Sequence, residues 1–329
     1  MRVFQQFSRN ATAALAVATV ALLGAQASAQ DKYPDRPIRM IMGFPTGGPT
    51  DISARIVANR MEKELGQPVI VENKPGAGSN IGTEAAARAK PDGYTVFIGT
   101  IANATNMSLY KNLNYNIERD FIPITQFMSS PSILVVNPAL PIHNLRELID
   151  YAKANPGKLS YASSGAGGSP HMAGEMLRLR TGIDILHIPY KGAAPALTDV
   201  IGGTVSMGFM TANGTLPSIE SGKLRAIAVA GRQRMPQLPN VPTLIEAGIP
   251  DFEVSSWNGL FAPAGTPQPI IDRLAKATIP ALHSPGIRQQ FIDLGSVPVG
   301  STPEEFKQYV HDEVIKWAEV AKAANVSID

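Results

Sequence analysis

The segment Phe44-Pro45-Thr46-Gly47-Gly48-Pro49-Thr50-Asp51 gathers glycine, proline and hydroxyl side chains between an apolar run and a helical pattern. Glycine lets the backbone turn its N–H groups outward. Pro49 suits the first position of a helix, where no donor is needed. A helix start carries unpaired N–H groups and the positive end of the dipole, so a carboxylate or phosphate binds there without a basic side chain. Asp51 falls in the first turn, where capping is its plainer role. Tyr190-Lys191-Gly192-Ala193-Ala194-Pro195 repeats the layout, with Asp199 one turn further on, either facing a ligand or supporting the loop. Lys191 adds charge there, although a solvated surface lysine is the simpler reading. A third tract, Ser163-Ser164-Gly165-Ala166-Gly167-Gly168-Ser169-Pro170-His171, offers hydroxyls and free amides for a second polar group. Gly99-Thr100-Ile101-Ala102-Asn103 adds Thr100 or Asn103.

Other chemistry lacks its pattern. Gly76, Gly78 and Gly82 fail the dinucleotide spacing, and they follow the second strand rather than the first. There is no Gly-x-Ser-x-Gly elbow and no phosphate loop ending in Lys-Ser/Thr. The histidines at 143, 171, 187, 283 and 311 never pair at helical spacing, so no metal helix is expected. A triad of Ser164, His171 and Asp199 is conceivable but carries no specific signal, and His171 fits a helix start or hinge better. Catalytic residues, metal and cofactor are therefore all expected to be absent.

The elements that must hold these tracts alternate along the chain. Residues 38–42, 68–71 and 94–98 read as strands, and 49–65 and 81–89 as helices, with Ile52, Ile56, Val57, Met61 and Leu65 on a common side. This β-α-β-α-β order builds a parallel sheet. Strands follow at 132–136, 159–162, 185–188, 205–210 and 224–229, with helices at 145–154, 171–179 and 196–201. The proline-rich stretch 231–251 reads as a surface connection. Helices near 269–282, 285–294 and 303–324 close the chain, each with proline near its start. Two α/β lobes fit this order: residues 30–125 plus 252–329, and residues 126–251. The chain crosses over near 121–137 and returns near 251–261.

The N-terminus reads as a secretory signal, residues 1–29. Arg2 and Arg9 precede an apolar run at 11–23, and Ala27-Ser28-Ala29 supplies the small residues for cleavage. That run of about 13 residues falls short of the roughly 20 that span a bilayer. The 329-residue chain contains no cysteine, which leaves no thiol for lipid, disulfide or thiolate metal site. Removing Arg2 and Arg9 takes the formal charge of +2 to near zero, and no basic stripe suggests nucleic acid.

The runs 33–51 (YPDRPIRMIMGFPTGGPTD), 69–95 (VIVENKPGAGSNIGTEAAARAKPDGYT) and 188–209 (IPYKGAAPALTDVIGGTVSMGF) resemble the substrate-binding proteins of tripartite tricarboxylate transporters, the Bordetella uptake gene family. The resemblance covers essentially the whole mature chain. It implies a two-domain α/β periplasmic binding protein, type II-like, each domain a mostly parallel sheet flanked by helices. The ligand, a small carboxylate, would lie in the interdomain cleft. It further implies a monomeric, non-enzymatic receptor that delivers to membrane permease subunits. A sensor subunit and a serine hydrolase are the competing readings. Carried onto this chain, Phe44, Thr46, Gly47, Gly48 and Asp51 form one wall of the site, and Tyr190, Gly192, Ala193, Ala194 and Asp199 the other. Ser163, Ser164 and Thr100 face the far end, with Asn103 beside them. Thr46 stands where many members have proline. After Phe209 members often have an aspartate where Met210, Thr211 and Asn213 follow here, so that neighbourhood, with Thr211 among the expected ligand residues, is expected to set specificity.

Overall fold

A computed structural model describes residues 33–328. The signal segment expected at 1–29 lies outside the described residues. The chain begins β1 (Ile38–Met42), α1 (Pro49–Leu65), β2 (Val69–Asn73), α2 (Asn80–Ala87), β3 (Thr95–Thr100) and α3 (Ile101–Leu109). β1 lies between β2 and β3, and all three run parallel. Four of the five β1 residues are buried because helices cover both faces of the sheet. The exception is Arg39, which holds Glu72 with two bonds of 2.6 and 2.8 Å. α1 buries Ala54, Val57, Ala58, Met61 and Leu65; Ile52, expected on the same side, is exposed.

β4 (Phe121–Val136) is a single strand of 16 residues that serves two sheets. Residues 121–131 pair antiparallel with β9, whereas residues 132–136 pair with β7 and β8. The change of sheet thus falls between Pro131 and Ser132, within the crossing stretch expected at 121–137 and beyond the border drawn at 125/126. α4 (Leu145–Ala154), β5 (Leu159–Ser163), α5 (Ser169–Thr181), β6 (Ile185–Pro189), α6 (Ala193–Ile201), β7 (Met207–Thr211), α7 (Ala212–Glu220) and β8 (Arg225–Val229) build the second lobe. Its parallel strands lie in the order β7-β5-β6.

The chain returns through β9 (Ser255–Pro263), antiparallel between β3 and β4, where the sequence showed only a passage. Gly259 hides this strand from pattern reading, yet a side chain there would strike Phe306. α8 (Gln268–Leu282), α9 (Pro285–Asp293), β10 (Val297–Pro298) and α10 (Pro303–Ala324) follow. α8 and α9 join the first lobe's core, represented by Leu274, Leu282 and Phe291. α10 instead packs on α3, β4 and α5, and so touches both lobes, where the first lobe alone was expected. Its Glu313 accepts from both indoles, Trp257 and Trp317, at 2.9 Å each. Among the described residues no helix is long and apolar enough to cross a membrane.

Candidate functional site

The C-terminal ends of β1, β3, β5, β6 and β7 open onto one cavity of about 230 Å³, and each strand leads into a helix there. In open α/β sheets this is where ligands sit. The first lobe contributes Phe44–Thr50, Thr100–Ala102 and Ser256; the second contributes Ser164, Gly168–Pro170, Lys191–Pro195 and Thr211. The lining is a largely apolar body with polar tips, as a small-molecule site requires.

Five helix starts therefore converge. α3 is satisfied by its own side chains: Ala102 N–H donates to Thr100 Oγ1 at 3.3 Å, and Thr100 N–H to Asn103 Oδ1 at 2.8 Å. The other four, α1, α5, α6 and α7, begin at Gly48, Gly168, Gly192 and Thr211, and none receives a side-chain cap. Their first-turn N–H groups have no partner within the helix, and their dipoles end here. Gly47 (φ +80°) and Gly192 (φ +129°) hold backbone that a side chain would resist. Lys191 lines the cavity, is exposed and forms no ion pair among the described residues, which fits the solvated surface lysine expected.

Several expected ligand residues turn out to build the loops instead. Asp51 is 2% exposed and accepts from Gly47 N–H and Arg55 at 2.9 Å and from Asn73 at 3.0 Å. Burial pushes its carboxyl pKa up, but these donors together outweigh burial and hold it below the ordinary value. Asn103 is fully buried, capping α3 and donating to Thr83 at 2.7 Å. Tyr190 donates to Asp199 at 2.5 Å, and this bond pushes the phenol up to about 12. Tyr190 faces an adjoining chamber of about 470 Å³, and Asp199 lines neither space. Ser163 is buried against His187 Nε2 at 2.7 Å. Phe44, Thr46, Gly47, Gly48, Thr100, Ser164, Gly192, Ala193, Ala194 and Thr211 all line the cavity. Ser256 lines it unannounced, because β9 went unread.

Beneath the Ser163–Pro170 loop lies a buried aromatic stack. His187 packs between Tyr161 and His171, with ring centroids at 4.9 and 4.1 Å. Gly167 N–H donates to His171 Nδ1 at 3.1 Å, which requires that nitrogen to be unprotonated. Burial, aided by Arg178, lowers the His171 pKa to about 4; burial and His171 lower that of His187 to about 3, against the opposing pull of Glu175. The conceivable triad of Ser164, His171 and Asp199 is not assembled: His171 serves Gly167, and Asp199 serves Tyr190.

Residues 53–326 match the family model described as the tripartite tricarboxylate transporter family receptor. The chain is 38% identical to Protein BugT of Bordetella pertussis over 300 residues, 91% of this chain and 92% of that protein. The fold matches the periplasmic binding protein BugD with a TM-score of 0.83 at 40% identity, covering 90% of this chain and 99% of BugD. It matches R. palustris Rpa4515, solved with adipate, with a TM-score of 0.85 at 34% identity, covering 90% and 99%. MatC from Rhodopseudomonas palustris, solved with bound malate, gives a TM-score of 0.82 at 33% identity, covering 88% and 99%. The chain belongs to the tripartite tricarboxylate transporter receptor family, whose members are periplasmic solute-binding proteins.

Proposed function

We propose that this protein captures a small carboxylate between its lobes in the periplasm and hands it, as a monomer, to membrane permease subunits. The observation that carries this reading is the convergence of four helix starts without side-chain caps, drawn from both lobes, on one cavity. Each such terminus favours an anion by about 0.3–1 kcal/mol when exposed and up to about 2 kcal/mol when partly buried. Charge-assisted bonds from the N–H groups add to this. The malate and adipate complexes of the relatives support the ligand class. The lobes, expected as 30–125 plus 252–329 and 126–251, would be joined through β4, whose residues 121–131 pair with β9 and residues 132–136 with β7 and β8. A ligand touching both lobes stabilises the arrangement in which they meet, and so shifts the population towards it. No step of bond making or breaking is required of the protein.

A thermal-shift screen of ligand-stripped protein against dicarboxylates, tricarboxylates and aromatic acids tests the proposal. A binder at 100 times its Kd stabilises the fold by about 2.7 kcal/mol, a shift of several degrees. Silence across all the acids would contradict it.

A further inference from the structure

We infer that Thr105 latches the two halves of the cleft: without meeting the ligand, it holds the second lobe's Ser163–Pro170 loop in place at the cavity. The inference rests on the reading that the lobes close around a ligand, and it names a contact that holds them closed. Thr105 lies on α3, which follows β3 of the first sheet, and is 1% exposed. It is not part of the cavity wall, whereas Ser164, Gly168, Ser169 and Pro170 of the loop are. Its hydroxyl donates across the lobes to Gly167 O at 2.6 Å. From the other side, Gly167 N–H donates to His171 Nδ1 of α5 at 3.1 Å. Gly167 is thus pinned twice, by α3 of one lobe and by α5 of the other, and the start of α5 is tied to α3 through it.

A latch must also release. The Thr105 hydroxyl has one hydrogen, and a second acceptor stands ready in its own helix, Ala102 O at 3.1 Å. When the lobes part, the hydrogen turns to Ala102 and no buried donor is stranded. The neighbouring residue favours release. Asn106 donates through Nδ2 to Gly78 O at 2.8 Å and to Asn80 Oδ1 at 2.7 Å, but its Oδ1 is buried without a partner. A Cβ on Gly167 would lie 2.6 Å from that oxygen, so the seated loop lies directly over it. Parting the lobes lets water reach the oxygen and recovers the cost of burying an unpaired acceptor. The bond gained and the acceptor stranded oppose each other, which leaves a closure that a ligand touching both lobes can tip.

Thr105→Val keeps the shape of the side chain and removes the donor, whereas Thr105→Ser keeps the donor. The chain contains no cysteine, so Lys63→Cys and Thr198→Cys place spin labels only at exposed positions of α1 and α6. Pulsed electron resonance of the mature chain then reads the distance between lobes, with and without malate or adipate. Stopped-flow titration with the same two acids reads affinity and dissociation rate. T105V should lower the closed-to-open ratio about fivefold and weaken binding about fivefold, chiefly through faster dissociation. T105S should match the wild type in both. A lower melting temperature with unchanged distances and affinity would reduce Thr105 to a structural role and overturn the inference. So would T105S behaving like T105V. Failure of both acids to bind the wild type would count against the carboxylate reading, and the latch would then stand or fall on the ligand-free distances, unchanged distances in T105V overturning it.

Discussion

At the scale of the residue, the site is made by what its backbone does more than by what its side chains carry. Gly192 combines φ +129° with ψ 173°, a region essentially reserved for glycine. Space is no obstacle there, since a Cβ at 192 would meet no atom within 4 Å. Gly192→Val should therefore leave a folded protein but rebuild the turn that aims the α6 amides, weakening binding by about tenfold or more. Gly182→Val is the control: φ is +66°, space is open, and the residue caps the far end of α5. It should lower the melting temperature and leave affinity unchanged, so equal affinity losses in both variants would refute the placement. This layer was legible in the sequence because glycine, proline and small residues announce a helix start directly. Which acid faces the ligand was not legible. Asp51 and Asp199 sit at suitable spacings, but Asp51 is taken by Asn73 of a distant segment, and Asp199 by Tyr190 of its own tract, a bond that spacing alone does not reveal.

At the scale of the element, strands and helices with clean periodicity were read nearly to the residue, as at Ile38–Met42 and Pro303–Ala324. Those that escaped carry locally discouraging residues. α7 contains Gly214 and Pro217, and α3 is rich in Asn, Thr and Ser. Each is held by its place at the end of a strand. The packed group of β5, α5 and β6 stores a pH response, through His171 on α5 and His187 on β6. Above about pH 6.5 His171 and His187 are neutral in folded and unfolded chains alike, and they contribute nothing to pH dependence. As pH falls towards about 4 for His171 and about 3 for His187, the unfolded chain gains protons that the folded one refuses. Stability then drops by up to roughly 1.4 kcal/mol per pH unit for each histidine. The groups facing the pair are Tyr161, Ser163, Glu175 and Arg178. Urea melts between pH 6.5 and 4.5 should show a clearly shallower loss in His187→Gln than in the wild type. Identical slopes would mean that the pair does not titrate as its burial demands.

At the scale of the whole molecule, two strands and one helix join the halves. β4 passes from one sheet into the other, β9 brings the chain back beside its first part, and α10 packs on both α3 and α5. On the cavity side, Thr105 of α3 donates to Gly167 O of the second lobe at 2.6 Å. The α1 and α6 starts thus face the same space from opposite lobes, and a bound anion would tie them together. A crystal structure of the chain with the acid that gives the largest thermal shift is the most direct test. It should show carboxylate oxygens about 3 Å from first-turn N–H groups of both α1 and α6. A carboxylate gripped by lysine or arginine side chains, away from those two turns, would contradict the account.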